Sequence, residues 1–212
     1  MVKWLLIIPH LVVLSFLWVA VVALTFVAGI AILITTRYPR WIFDFNVGVI
    51  RWTWRVSFYA VGAFGTDRYP PFTRGVEPGY PAQFSVEYPE RLSRGLVLVK
   101  WWLLAIPHYV VIAFFAGGWG SEWAGWPAAG GLIGALAVIA AVIRLFTGRY
   151  PASIFDFVMG MNRWCYRVLA YVTLMTDLYP PFRLDNGPDE PLAPMAPVPR
   201  PAPAPAHIGE LR

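Results

Sequence analysis

From Leu11 to Ile34 the chain runs for 24 residues without a charge, its apolar character relieved only by Ser15 and Thr25. As a helix, a run of this length extends about 36 Å, enough to cross a hydrocarbon core of about 30 Å with some tilt. Composition points the same way. Hydrophobic residues make up 58% of the chain, charged residues 14%, aromatic residues 17%, and mean hydropathy is +0.56. Soluble domains carry about a quarter charged residues, and aromatic side chains collect at membrane interfaces. These figures argue against a soluble enzyme and against a disordered or collagen-like chain. The run is also longer than the apolar stretch of a signal peptide, about 7–15 residues, and no small-x-small cleavage site follows it. It reads as a retained span.

Two further apolar stretches, Trp101 to about Trp119 and Ala124 to Ile143, flank a Gly-rich turn bordered by tryptophans and read as a transmembrane hairpin. Nine Lys/Arg lie between Thr36 and Lys100 and five between Ile143 and Arg183, with none in the hairpin turn. The positive-inside rule then places both basic segments in the cytoplasm and the turn outside. The expectation is a multi-pass cell-membrane protein with three spans, its amino terminus outside and its C-terminal tail cytoplasmic.

The chain also repeats itself. Arg37-Tyr38-Pro39 returns as Arg149-Tyr150-Pro151, and Ile42-Phe43-Asp44-Phe45 as Ile154-Phe155-Asp156-Phe157. Across residues 37–59, 13 of 23 positions match at an offset of 112. Thr66-Asp67-x-Tyr69-Pro70-Pro71-Phe72 returns as Thr176-Asp177-x-Tyr179-Pro180-Pro181-Phe182, and Ile8-Pro9-His10 as Ile106-Pro107-His108. Self-similarity on this scale marks a duplication. The first repeat takes residues 1–75, with a span over about 4–35 and an amphipathic helix over about 41–64. The second takes 76–184, with a β-strand over about 83–88, spans over about 100–118 and 124–146, and an amphipathic helix over about 153–175. The strand is expected from the alternation in Gln83-Phe84-Ser85-Val86-Glu87-Tyr88. The first copy has no counterpart to it, either because the duplicate lost it or because the true start lies upstream. Residues 185–212, with eight prolines in 28 positions, read as a disordered Pro/Ala-rich tail. The expected fold class is mainly α: transmembrane helices, Arg-striped interfacial helices and short extended Pro-rich caps.

These linked motifs resemble a bacterial membrane family catalogued as domain of unknown function 4389. The resemblance rests on Glu87-Tyr88-Pro89-Glu90-Arg91, Lys100-Trp101, Ile106-Pro107-His108, Thr147-Gly148-Arg149-Tyr150-Pro151, Phe155-Asp156-Phe157, Arg163-Trp164 and the Tyr-Pro-Pro-Phe elements. It covers nearly all of residues 1–184 in two copies, the first lacking its N-terminal part and carrying Thr36 where the second has Gly148. It implies membrane placement and leaves the function open.

Drawn as a helix, residues 41–64 gather Asp44, Gly48, Arg51, Arg55 and Gly62 on one stripe, and Asp156, Gly160, Arg163 and Arg167 repeat it. An in-plane helix would turn this stripe to lipid headgroups and its aromatic face into the acyl boundary. A spanning helix would bury two Arg at about 2.5–3.5 kcal/mol each, so the in-plane reading is favoured. Asp44, Arg51, Arg55, Asp156, Arg163 and Arg167 are therefore the candidate contacts for headgroups or a partner. His10 and His108, each after Pro, are read as interfacial positions that hydrogen-bond or cap. No HExxH, Walker or Gly-x-Ser-x-Gly motif accompanies them, and the lone Cys165 excludes a multi-cysteine cluster. No catalytic, cofactor or metal site is expected. Net charge is +5, with no dense basic run, which argues against nucleic acid as a partner. The functional expectation is a non-catalytic membrane scaffold or accessory subunit, bound to lipid, to a membrane protein or to further copies of itself. The alternative is a small oligomeric transporter or channel component using the Asp/Arg stripes.

Overall fold

A computed structural model describes residues 2–60, 66–116, 131–147 and 151–184. The described residues form α1 (Val2–Thr35), α2 (Arg40–Ala60), α3 (Arg94–Val99), a π-helix (Lys100–Leu104), α4 (Ile106–Ala116), α5 (Leu132–Thr147) and α6 (Ala152–Val172). The expected hairpin turn and the Pro/Ala-rich tail lie outside the described residues.

α1 and α2 make an antiparallel pair. One stripe of α1, Ile7, Leu14 and Val21 at heptad spacing, packs on Val49, Trp52, Val56 and Tyr59 of α2. Polar bonds register the pair along its length. Trp18 Nε1 donates to Thr53 Oγ1 at 3.1 Å, and Asn46 Nδ2 donates to Thr25 Oγ1 at 3.1 Å and to the Tyr38 hydroxyl at 3.0 Å. Pro39 and Pro151 each stand immediately before a helix, α2 and α6, with the Phe43 and Phe155 amides bonding back to their carbonyls. A proline there gives up no needed N–H and presets φ.

α1 ends at Thr36, which takes a left-handed φ of 60° and offers its carbonyl to the Leu92 amide at 2.8 Å. α6 ends in a Schellman motif: the Met175 amide bonds to the Ala170 carbonyl and the Leu174 amide to the Tyr171 carbonyl, with Leu174 at φ 66°.

The second copy differs from the first by one residue near its histidine. Lys3 and His10 are seven positions apart, Lys100 and His108 eight. The extra residue is absorbed in the π-helix Lys100–Leu104, the form that a single insertion into an α-helix takes. A bend of 44° follows between Arg94–Leu104 and Ile106–Phe115. Lys100 is buried there, its Nζ 2.9 Å from Asp177 Oδ1 and 3.0 Å from the Thr176 carbonyl.

Three expectations change. Residues 83–88 alternate in burial, with Phe84 buried and Ser85 and Glu87 exposed, but they form no strand, and among the described residues no second strand lies beside them. The Phe84 carbonyl accepts from Arg51 Nε at 2.8 Å instead. The aromatic face of α2, assigned to lipid, is covered by protein: Trp52, Trp54, Phe58 and Tyr59 are all buried, and Trp164 and Tyr171 of α6 likewise. Of the three expected spans, Leu5–Thr35 is long and apolar enough to cross a membrane, the bent pair around Ala105 passes only if taken as one span, and Leu132–Thr147 is short.

Thr36 carries a β-branched side chain where an L-residue is strained by about 1–2 kcal/mol. Thr36→Gly, the residue of the second copy, is expected to stabilise the protein by about 1 kcal/mol, read as a higher midpoint of thermal unfolding in detergent.

Candidate functional site

The repeated residues converge in space as two equivalent clusters, each held together by an extended strap. In the first, the strap begins at Thr66, whose Oγ1 accepts from the Arg68 amide at 3.1 Å. Two prolines then stiffen it, and the Thr73 amide turns back to the Pro71 carbonyl at 2.9 Å. In the second, the Leu178 amide bonds Thr176 Oγ1 at 3.2 Å and the Arg183 amide bonds the Pro181 carbonyl at 2.8 Å. The same sequence builds the same bend twice.

Each strap lays its aromatic residues over a buried histidine. His10 stacks on Phe72 with centroids 3.8 Å apart and 13° between planes, and lies 5.1 Å from Tyr69 and 5.8 Å from Trp52. His108 stacks on Phe182 at 4.5 Å and 13°, 4.8 Å from Tyr179 and 5.3 Å from Trp164. Tyr59 meets Tyr69 edge-on at 5.9 Å, as Tyr171 meets Tyr179 at 5.8 Å. Such ring pairs add about 0.5–1.5 kcal/mol each beyond the area they bury. The first copy closes the cluster with a bond from Trp52 Nε1 to His10 Nδ1 at 3.1 Å. An Nδ1 that accepts carries no proton, so this ring is neutral with its proton on Nε2. In the second copy both His108 nitrogens and Trp164 Nε1 are buried without a hydrogen-bond partner.

Beyond the aromatic cluster the first strap crosses α2 at Gly48. A Cβ there would stand 2.8 Å from Arg74 Cβ and 3.2 Å from the Arg74 carbonyl oxygen. Gly160 repeats the crossing, 2.9 Å from both Cβ and carbonyl oxygen of Leu184. Gly48 and Gly160 are there for close approach.

The arginines bind the strap's backbone. Arg51 donates from Nε to the Phe84 carbonyl at 2.8 Å and from Nη1 to the Arg74 carbonyl at 3.1 Å. Arg55, fully buried, donates from Nη1 to the Thr73 carbonyl at 3.1 Å and from Nη2 to the Gly75 carbonyl. Burial pushes both guanidiniums below their usual range; in Arg55 the charge of Arg51 adds to this while Glu77 and Tyr80 oppose it. Tyr80, whose phenol burial pushes up, donates to the Arg68 carbonyl at 3.2 Å. The remaining stripe residues sit elsewhere. Asp44 and Asp156 are exposed, and Arg163 and Arg167 are half-buried on α6. Asp44 shares an open cleft with Trp41, Phe45, Arg51 and Arg74, the last with its guanidinium 4.9 Å over the Phe45 ring.

The stripe was therefore legible as a stripe, and Arg51 and Arg55 lie together on it, but their partners are carbonyls of their own chain. His10 and His108 lie in the clusters rather than serving as caps. Sequence reading missed the convergence of Pro-His, Arg-Trp and Tyr-Pro-Pro-Phe; their joint recurrence was the available signal. It also missed Lys100, whose bond to Asp177 ties the second strap to the π-helix, while the Ser93 amide holds Asp177 Oδ2 at 2.6 Å. Among the described residues no three or more His, Cys, Asp or Glu gather as a metal site.

The two histidines should respond differently to replacement. His10→Phe strands the buried Trp52 N–H while removing an Nε2 that is itself buried without a partner, and is expected to cost about 1 kcal/mol; His108→Phe removes two unpartnered nitrogens and should be neutral or stabilising, both read by unfolding in detergent. Gly48→Ala and Gly160→Ala are each expected to cost about 1–3 kcal/mol through overpacking, with faster proteolysis inside the displaced strap.

Neither a curated protein nor a solved structure matches the chain. A family model does match, over residues 1–74 and 123–183, segments that fall one in each copy of the repeat. With well over half its length matched, the chain belongs to the family described as Domain of unknown function (DUF4389).

Proposed function

We propose that this chain is a membrane-embedded protein without catalytic chemistry of its own, acting as a scaffold or accessory subunit that holds lipid or another membrane protein. The observation that carries this reading is the outer side of α1. Leu5, Phe16, Val19, Phe26 and Ile34 are each about 70% exposed along a helix whose most apolar window is only 22% buried. The core helix of a soluble domain buries such a face; here it is offered outward, where acyl chains suit it. Basic residues stand at one end. Arg37, Arg91 and Arg94 are exposed around the C-terminus of α1, where Arg94 Nη2 donates to the Ile34 carbonyl at 2.9 Å. Guanidiniums so placed suit anionic headgroups.

The non-catalytic part of the reading draws on what the repeated residues do. His10, Trp52, Tyr69, Phe72 and Gly48 fasten the first strap as His108, Trp164, Tyr179, Phe182 and Gly160 fasten the second, which accounts for their recurrence through packing, and Arg51 and Arg55 bind the first strap as well. Arg51 and Arg55 are already engaged by carbonyls, so a transport path through the stripe gains no support from them. Expressed with a tag, the protein is expected in the carbonate-resistant membrane fraction, to copurify with anionic phospholipid or a membrane partner in mild detergent, and to aggregate on detergent removal. A chain that stays solitary and monodisperse without amphiphile overturns the reading.

A further inference from the structure

Residues 66–93, irregular chain ahead of α3, run beside the helical pair. At one end the Tyr69 hydroxyl donates to the Leu6 carbonyl at 3.1 Å; at the other the Leu92 amide donates to the Thr36 carbonyl at 2.8 Å. Leu6 and Thr36 are about 45 Å apart along a straight helix, more than the hydrocarbon thickness of about 30 Å. Between these two ties, residues 66–93 contain neither helix nor strand. Asp67, Arg74, Gly75, Gly79, Glu87 and Glu90 are exposed along the way. This segment lies on the face of α2 that bears Gly48, Arg51 and Arg55, whereas α1 packs on the face that bears Val49, Trp52 and Val56. The apolar ridge of α1 looks away from both. Along α1, lipid-suited side chains thus lie on one side, and on another an irregular segment that exposes charged residues beside Phe72 and Val76.

An upright α1 would carry that irregular segment, with the exposed charges of Asp67, Arg74, Glu87 and Glu90, through the hydrocarbon, where irregular chain is tolerated only when buried in protein or lining water and charged side chains are costly. Lying flat removes the conflict: the ridge enters the acyl layer and the strap remains among headgroups and water. Among the described residues no other unbroken helix is long enough to cross: the pair around Ala105 is bent by 44°, and α5, with 16 residues, spans about 24 Å.

We infer that α1 lies along the plane of a single leaflet, its Leu5–Ile34 ridge buried in acyl chains, so that both of its ends face the same aqueous compartment. The inference rests on the membrane reading above and can fail without it. The test uses the full chain in a Cys165→Ala background, reconstituted into unilamellar vesicles of phosphatidylcholine and phosphatidylglycerol. Asp67→Cys and Arg91→Cys are introduced together, at exposed positions near opposite ends of α1, and the vesicles are treated with a membrane-impermeant maleimide. Molecules carrying two labels or none are expected, whichever way the protein inserted. A major population with one label overturns the inference, whether the crossing strap is covered by a second copy or by another protein. Separately, bimane attached at Leu5→Cys, Val19→Cys or Ile34→Cys is quenched by lipids brominated at defined acyl depths. Equal depth at the three sites supports the in-plane helix, and a Val19 site clearly deeper than the other two overturns it. Absence of quenching at all three overturns the membrane reading itself, and the inference with it.

Discussion

An extended chain segment that pairs with no other strand must still find partners for its backbone carbonyls. In this protein the partners are guanidiniums. Arg51 and Arg55 reach from one helix face to carbonyls of Thr73, Arg74, Gly75 and Phe84. Bonds from a charged donor are about twice as strong as neutral ones, and a buried Arg left without them would be costly. The dependence is therefore mutual. The strap neutralises the cost of burying Arg55, and Arg55 lets the strap do without a sheet. From this follow the glycine at the crossing point, the aromatic stack over His10 and the covering of an aromatic helix face that would otherwise face solvent or lipid.

The sequence was informative about identity of parts and poor about their meeting. The length and apolarity of α1 were visible because a long uncharged run admits few structures, and the helix Val2–Thr35 follows it closely. α2 and α6 begin within one residue of the helices read over about 41–64 and 153–175. The alternation in residues 83–88 was real, yet alternation records only which side chains face inward and says nothing of a neighbouring strand. Arg51 and Arg55 pointed to oxygen acceptors, and carbonyls on a loop some twenty or more residues away look no different in sequence from phosphates on a lipid. The histidine clusters needed three motifs, distant in the chain, to be brought together. Only their shared recurrence hinted at this.

The two copies show which parts of the unit tolerate change. Trp52 bonds His10, while Trp164 and His108 leave their nitrogens unpartnered although their rings stand 5.3 Å apart. The stacking on Phe72 and Phe182 is common to both, at the same 13°. Ring packing is thus the shared element and the polar bond the variable one. Helix ends differ in the same spirit: Thr36 adopts the left-handed turn at a position where the second copy has Gly148.

The π-helix Lys100–Leu104 has a consequence for how such a duplicated protein diversifies. One added residue would rotate everything beyond it by about 100° if the helix stayed α throughout. By swelling one turn, the chain takes up the added residue there, so that the helix beyond it keeps its phase and Pro107 and His108 keep their setting. Trp101 and Trp102, about half exposed, lie within the swollen turn. A copy can thus lengthen without disturbing the ring cluster that it encloses.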